Sequence, residues 1–100
     1  MSKYDSYDVH LYKRMLQAIG DYRNGNLGLS QLISNLEGLL GLIEKPEQEW
    51  TDQFFRHWMV LEEIFAVALD RNKKEFDEHD QSAIKQSLEN LEEIIKSQLS

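Results

Sequence analysis

The chain contains no cysteine among its 100 residues. This absence excludes disulfide bonds, thiolate zinc sites and cysteine nucleophiles, and it is typical of proteins of the reducing cytosol. A long apolar run is also missing, because Glu62 and Glu63 interrupt the most apolar stretch, Phe54 to Asp70. A membrane-spanning helix needs about 20 predominantly apolar residues, so we expect no membrane segment. The first residues lack the apolar region of a secretory signal, and we therefore expect a cytoplasmic protein.

Positive charge is scarce. Eleven Lys and Arg residues stand against 18 Asp and Glu residues, which gives a formal net charge of −7. Such a chain repels nucleic acids and anionic membranes and attracts basic proteins. We therefore expect neither a nucleic-acid nor a membrane partner. A basic protein partner fits the charge, but so does acidity that serves only solubility.

One proline and five glycines are the only strong breaks in a pattern of apolar residues spaced three and four apart. This spacing predicts four helices, over about 7–23, 29–45, 46–71 and 81–98, with Asp80 or Ser82 as the N-cap of the last. Pro46 is expected to open the third helix, and Gly38 and Gly41 to allow a close approach between helices. The predicted fold class is all-α, a single-domain antiparallel four-helix bundle covering residues 1–100.

The two glutamates of the third helix are predicted to differ. Successive residues of a helix point about 100° apart, so Glu63 falls on a narrow polar strip and Glu62 among apolar side chains. A buried carboxylate must be paired, and Arg23 is the expected partner, ahead of Arg14 and Tyr22. Both Glu62 and Arg23 are thus predicted to be structural. The third helix has the widest apolar arc, and its most buried side chains are expected to be Trp58, Leu61 and Phe65.

No catalytic or metal-binding motif is present. None of the three histidines follows a glutamate by three positions, as di-metal sites in helical bundles require. The segment from Asp77 to Asp80 is expected to be a solvated connector rather than an ion site, and His57 to be half-buried. Nucleophile and phosphate-binding glycine motifs are missing as well. We therefore expect no metal, no cofactor and no enzymatic activity, which is the profile of a binding protein.

Two segments carry a resemblance to a known family: "YRNGNLGLSQLISNLEGLL", from Tyr22 to Leu40, and "WTDQFFRHWMVLEEIFAVALD", from Trp50 to Asp70. They resemble the small all-helical immunity proteins of bacterial polymorphic toxin systems, including contact-dependent growth inhibition. The Asp-Tyr-Tyr signature of the colicin nuclease immunity proteins is absent, so their binding residues are not carried over. The residues that carry the resemblance are Tyr22, Arg23, Gly25, Trp50, Phe54, Trp58, Leu61, Glu62 and Ala66.

The resemblance implies a protein that binds and neutralises a cognate toxin, with a basic nuclease domain as the expected target. Exposed acids would then form the contact surface, although pairs such as Lys85–Glu89 and Glu92–Lys96 are also ordinary surface ion pairs. The alternative is a helical adaptor or regulatory subunit that binds a partner helix, or pairs with itself, through Val60 and Val67. The candidate partner-binding acids are Asp52, Glu63, Asp70, Glu75, Asp77, Glu78, Glu89 and Glu93.

Overall fold

A computed structural model describes residues 7–44, 46–72 and 75–99. Within these ranges the chain forms four helices and no strand, so the all-α prediction is confirmed. The apolar stripes at helical spacing are what each helix buries against its neighbours. The helices are α1 (Tyr7–Arg23), α2 (Leu29–Leu42), α3 (Gln48–Asp70) and α4 (Glu78–Ser97).

The turn between α1 and α2 follows the predicted glycine signal. The backbone N–H of Asn26 donates to the carbonyl of Asp21 at 2.8 Å, and that of Gly25 donates to the carbonyl of Tyr22 at 3.1 Å. These two bonds define a Schellman motif, whose left-handed position is filled by Gly25 at φ 80°. Glycine adopts this conformation without steric cost, which explains why α1 ends here.

Two helix starts differ from the sequence prediction. The N-cap of α4 is Asp77, whose carboxylate accepts from the backbone N–H of Asp80 at 2.8 Å, so α4 begins three residues earlier than expected. Neither Asp80 nor Ser82 is the cap. The N-cap of α3 is Glu47, in an extended conformation, which leaves Pro46 just outside the helix rather than in its first turn.

Each helix packs against its neighbour in the chain, and α1 closes the bundle against α4. Short connections make successive helices antiparallel, as predicted. The backbone N–H of Glu44, after α2, accordingly meets the carboxylate of Asp8, in the first turn of α1, at 3.4 Å. The core combines aliphatic side chains with the aromatic rings of Tyr12, Trp50, Phe54 and Trp58, and its completely buried members are Met15, Ile19, Leu32, Leu36, Phe54, Leu61, Leu91 and Ile95.

Two tryptophans fix α3 between its neighbours. The indole N–H of Trp50 donates to the carbonyl of Ile94 in α4 at 2.9 Å, and that of Trp58 donates to the carbonyl of Ile33 in α2 at 3.0 Å. Both rings are buried, so each bond satisfies a donor that would otherwise be costly to desolvate. Side chains of α3 therefore hydrogen-bond to the backbones of both α4 and α2.

Burial along α3 agrees with prediction in the middle of the helix and fails near its end. Trp58 and Leu61 are buried as expected, but Phe65 is only half-buried. The reason is length: α2 has 14 residues and α3 has 23. With Ile33 level with Trp58, α2 has only one further turn, back to Leu29, while α3 runs on to Asp70. The last turns of α3 therefore extend past α2.

The glycines of α2 have a different role from the predicted one. Gly38 and Gly41 are exposed, and a Cβ atom added at either position would meet nothing within 4 Å. The prediction of close backbone approach at these positions is therefore wrong. At Gly38 the missing side chain instead leaves open space beside α1.

Candidate functional site

Glu62 is exposed, so the prediction of a buried structural carboxylate is wrong. The apolar residues that surround it on the helix surface are themselves largely uncovered, with Met59 60% and Leu69 65% exposed. Glu62 therefore needs no internal partner. The sequence places it correctly among apolar side chains, but that flank of α3 faces solvent instead of another helix.

Arg23, the predicted partner of Glu62, binds a different acid. Its Nη1 donates to Oε2 of Glu92 on α4 at 2.8 Å, and Lys96 approaches the other carboxylate oxygen at 3.9 Å. Arg23 and Glu92 side chains are 37% and 30% exposed, so this contact between α1 and α4 is worth at most about 1 kcal/mol. The prediction of Arg23 as a buried structural partner of Glu62 is therefore wrong, since Arg23 is exposed and links the first helix to the last.

An uncovered apolar strip runs along α3. Its members recur at spacings of four, three, four and three, which places them on one line of the helix surface. Four of the five are exposed, and the aromatic member is half-buried. We call this surface the α3 strip, and its residues are Phe55, Met59, Glu62, Ala66 and Leu69.

Three of the predicted acids follow the edge of the α3 strip. Asp52, Glu63 and Asp70 are all exposed, as predicted, and they lie on one line of the helix. At a rise of about 1.5 Å per residue, Glu63 lies about 16 Å from Asp52 and about 10 Å from Asp70 along the axis. Arg56 is the one basic residue on this line. The outer face of α3 thus combines apolar and acidic side chains.

The acids of α4 form a separate surface. Glu89 and Glu93 are exposed, and so is Glu78, about three turns earlier on nearly the same face as Glu89. They belong to α4 and not to the outer face of α3, and Glu89 lies about 60° around the helix from Glu92, which pairs with Arg23 of α1. The structure therefore does not gather the predicted acids into one site.

The connector contributes the last two candidate acids. Glu75 and Asp77 are both exposed, as predicted. The carboxylate of Asp77 already accepts the hydrogen bond that caps α4, so this residue has a structural role in addition to any external one. Among the described residues, no group of three or more His, Asp or Glu side chains is arranged to hold a metal ion.

An open groove lies between α1 and α2. It has a volume of about 580 Å³, and its polar lining residues are Arg14, Gln17, Asp21, Ser34 and Asn35. Gly38 leaves part of it unfilled, and Leu42, on its wall, is 49% exposed. The groove contains no convergent set of titratable groups, so its lining does not indicate a catalytic site.

His57 is half-buried on α3, as predicted. Burial, and then the positive charge of Arg56, lower the pKa of its imidazole from the usual 6.5. A lowered pKa keeps the ring neutral near physiological pH, which is suited to packing. In the described part of the chain, no helix is long and apolar enough to cross a membrane.

Comparisons of the chain with family models, with curated proteins and with solved structures found no match. The resemblance to immunity proteins thus has no independent support from these comparisons. The outer face of α3, which combines exposed acidic and apolar side chains, is the surface most suited to binding a partner.

Proposed function

We propose that the protein is an immunity protein that binds and neutralises a cognate toxin without catalysis, through an acidic surface. The observation that carries the proposal is the line of exposed carboxylates at Asp52, Glu63 and Asp70 beside the uncovered α3 strip. The expected toxin is a basic nuclease domain acting in the cytoplasm. The overall charge of −7 and the resemblance of two segments to immunity proteins support this proposal.

The mechanism follows from charge complementarity. A nuclease binds phosphates in a basic cleft, and an acidic inhibitor is drawn to the same cleft by the same field. The carboxylates of α3 would face lysines and arginines of the toxin, while Met59 and Leu69 would supply apolar contact area. Occupation of the cleft, or of a surface next to it, excludes the substrate.

The test is co-expression and binding with the toxin-like product of an adjacent gene. The protein is expected to protect cells from that product, and association is expected to slow as salt rises, since salt screens exposed charges. The variant that combines Asp52→Asn, Glu63→Gln and Asp70→Asn should associate at least tenfold more slowly at low salt.

A matched control removes the same number of charges from α4, through Glu78→Gln, Glu89→Gln and Glu93→Gln. This control should change the association rate far less, because these residues lie on another face of the bundle. Lack of protection, or an equal effect of the two triple variants, would count against the assignment to α3.

The second candidate is a helical adaptor or regulatory subunit that binds a partner through apolar contacts. The exposed apolar side chains of α3 favour it, and Val67 is 40% exposed, although Val60 is half-buried. Association that does not depend on salt would support this candidate over an acidic inhibitor.

A further inference from the structure

We propose that the α3 strip binds a single amphipathic helix whose central residue is an arginine or lysine that pairs with Glu62. This inference concerns the chemistry of the partner segment and holds whether or not the partner is a toxin. Two properties of the strip support this inference: its heptad spacing and the carboxylate of Glu62 at its centre.

The spacing is that of a coiled-coil seam. Steps of four, three, four and three place the five residues at consecutive a and d positions of a heptad, the arrangement that receives a second helix. From Phe55 to Leu69 the strip covers 14 helical steps, or about 21 Å, which matches a partner helix of about four turns. Met59 and Leu69 are the most exposed large apolar side chains of the described residues.

The aromatic end of the strip is held in place by contacts with the core. The ring of Phe55 makes edge-on contacts with the rings of Phe54 and Trp58, at centroid distances of 5.7 and 5.6 Å. Trp58 is in turn hydrogen-bonded to the backbone of α2. Phe55, fixed in this way, loses little conformational entropy when a partner docks.

The central carboxylate selects the partner. Once a helix covers the strip, Glu62 is removed from water and must be paired, because an unpaired buried charge costs several kcal/mol. The positions beside the seam on its solvent side are Arg56, Glu63 and Asp70, of which two are acidic. A partner with a basic residue opposite Glu62 satisfies this requirement, and its aliphatic stem packs against Met59 and Ala66.

A second copy of this chain is a poor occupant. Glu62 is the third of five strip residues, so an in-register parallel pair and a symmetric antiparallel pair would both bring Glu62 against Glu62. Two carboxylates facing each other across a closed seam repel, as like charges at facing positions do. The strip is thus suited to a different chain.

The probe is a pair of synthetic 21-residue stapled helices with leucines at a and d positions and equal numbers of flanking Lys and Glu residues. One carries Arg at the central seam position and the other carries Glu there. Fluorescence anisotropy measures the Kd of each helix for the full-length protein. Wild-type protein should bind the Arg helix at least tenfold more tightly than the Glu helix.

The decisive variant is Glu62→Arg, with Glu89→Arg as its control, since both residues are exposed and undergo the same change of charge. Glu62→Arg should reverse the preference, so that the Glu helix now binds more tightly. Glu89→Arg should leave the ratio of the two Kd values within about threefold of wild type, because Glu89 lies on α4 and not on the strip. Thermal melts of both variants confirm that they are folded.

Three outcomes would overturn the proposal. The first is that neither helix binds wild-type protein, and the second is that Glu62→Arg leaves the ratio unchanged. The third is a dimer in sedimentation equilibrium that Met59→Glu dissociates, which would show that a second copy covers the strip. None of these results depends on a toxin, so this proposal and the proposed function fail separately.

Discussion

The hydroxyl oxygen of Thr51 is buried and has no hydrogen-bond partner among the described residues. A buried hydroxyl without a partner keeps its desolvation cost and gains nothing in return. Thr51 lies in the first turns of α3, directly after Trp50. Among the described residues, Thr51 is therefore the position at which a buried side-chain polar atom has no hydrogen-bond partner.

We expect Thr51→Val to stabilise the protein by about 1 kcal/mol, because valine keeps the shape and removes the unpaired oxygen. Urea unfolding followed by circular dichroism measures the change. Thr51→Ser is the control: it keeps the hydroxyl and removes the methyl, so it should be no more stable than wild type. A lower midpoint for the valine variant would show that the hydroxyl is bonded in solution.

His57 links stability to pH. Its pKa is lowered in the folded protein, so the unfolded chain binds a proton more readily once the pH falls below about 6.5. The contribution of neutral His57 is thus present above that pH and is lost as pH falls through the lowered folded pKa. The urea midpoint should decrease from pH 7.5 to pH 5.5.

The variant His57→Gln isolates this effect, because His10 and His79 remain in both proteins. Its midpoint should change less over the same pH interval than that of wild type. Equal pH dependence of the two proteins would show that His57 is not the group responsible.

The start of α4 depends on a single side chain. The carboxylate of Asp77 caps the helix, and Glu78 and Asp80 place further negative charge in the first turn, where the helix dipole favours it. The neighbouring polar residues of this segment made several caps possible from sequence. The structure identifies Asp77 as the cap by its extended backbone, at ψ 177°, and by the hydrogen bond that its carboxylate accepts from the backbone N–H of Asp80.

Asp77→Ala should therefore destabilise the protein by about 1 kcal/mol, the usual cost of losing an N-cap. Ser82→Ala should change stability by less than about 0.5 kcal/mol, since Ser82 is exposed within the helix and alanine is a better helix former. Urea midpoints compare the two variants. The reverse ranking would restore Ser82 as the cap.

The third helix holds the molecule together and also presents its candidate binding surface. Its inner face joins α2 and α4 through Trp58 and Trp50, and its outer face carries the α3 strip and the line of acids. Of the strip residues, Phe55 packs against the core rings of Phe54 and Trp58, whereas Met59, Glu62, Ala66 and Leu69 are exposed. Substitutions at the four exposed positions should therefore affect binding without unfolding the protein.

The whole bundle is expected to unfold as one unit. Its four helices share one core, and the two tryptophans report on contacts of α3 with both neighbours. Urea transitions followed by tryptophan fluorescence and by circular dichroism should coincide, as in two-state unfolding. The variant Trp58→Phe, which leaves only Trp50 to report, should lower the midpoint in both signals equally. Separate transitions would indicate two independent helical pairs.

The resemblance to immunity proteins and the negative net charge predict that acidic residues contact the partner. The structure places all eight candidate acids on the surface. It distributes them over the outer face of α3, the connector and the exposed face of α4. Exposure was predictable, because charged residues on the polar side of an amphipathic helix face water. Their separation was not, because it depends on how α3 and α4 are rotated within the bundle.

The sequence by itself determined the number and type of elements. Apolar residues at helical spacing specify four helices, and Gly25 specifies the end of the first, because these are local properties of the chain. Only the tertiary structure decided that Glu62 is exposed and that Arg23 pairs with Glu92. A helical pattern shows which side chains would gain from burial. Whether they are buried depends on the length and position of neighbouring helices: α2 ends before the last turns of α3, and the flank of α3 at Met59 and Glu62 faces solvent.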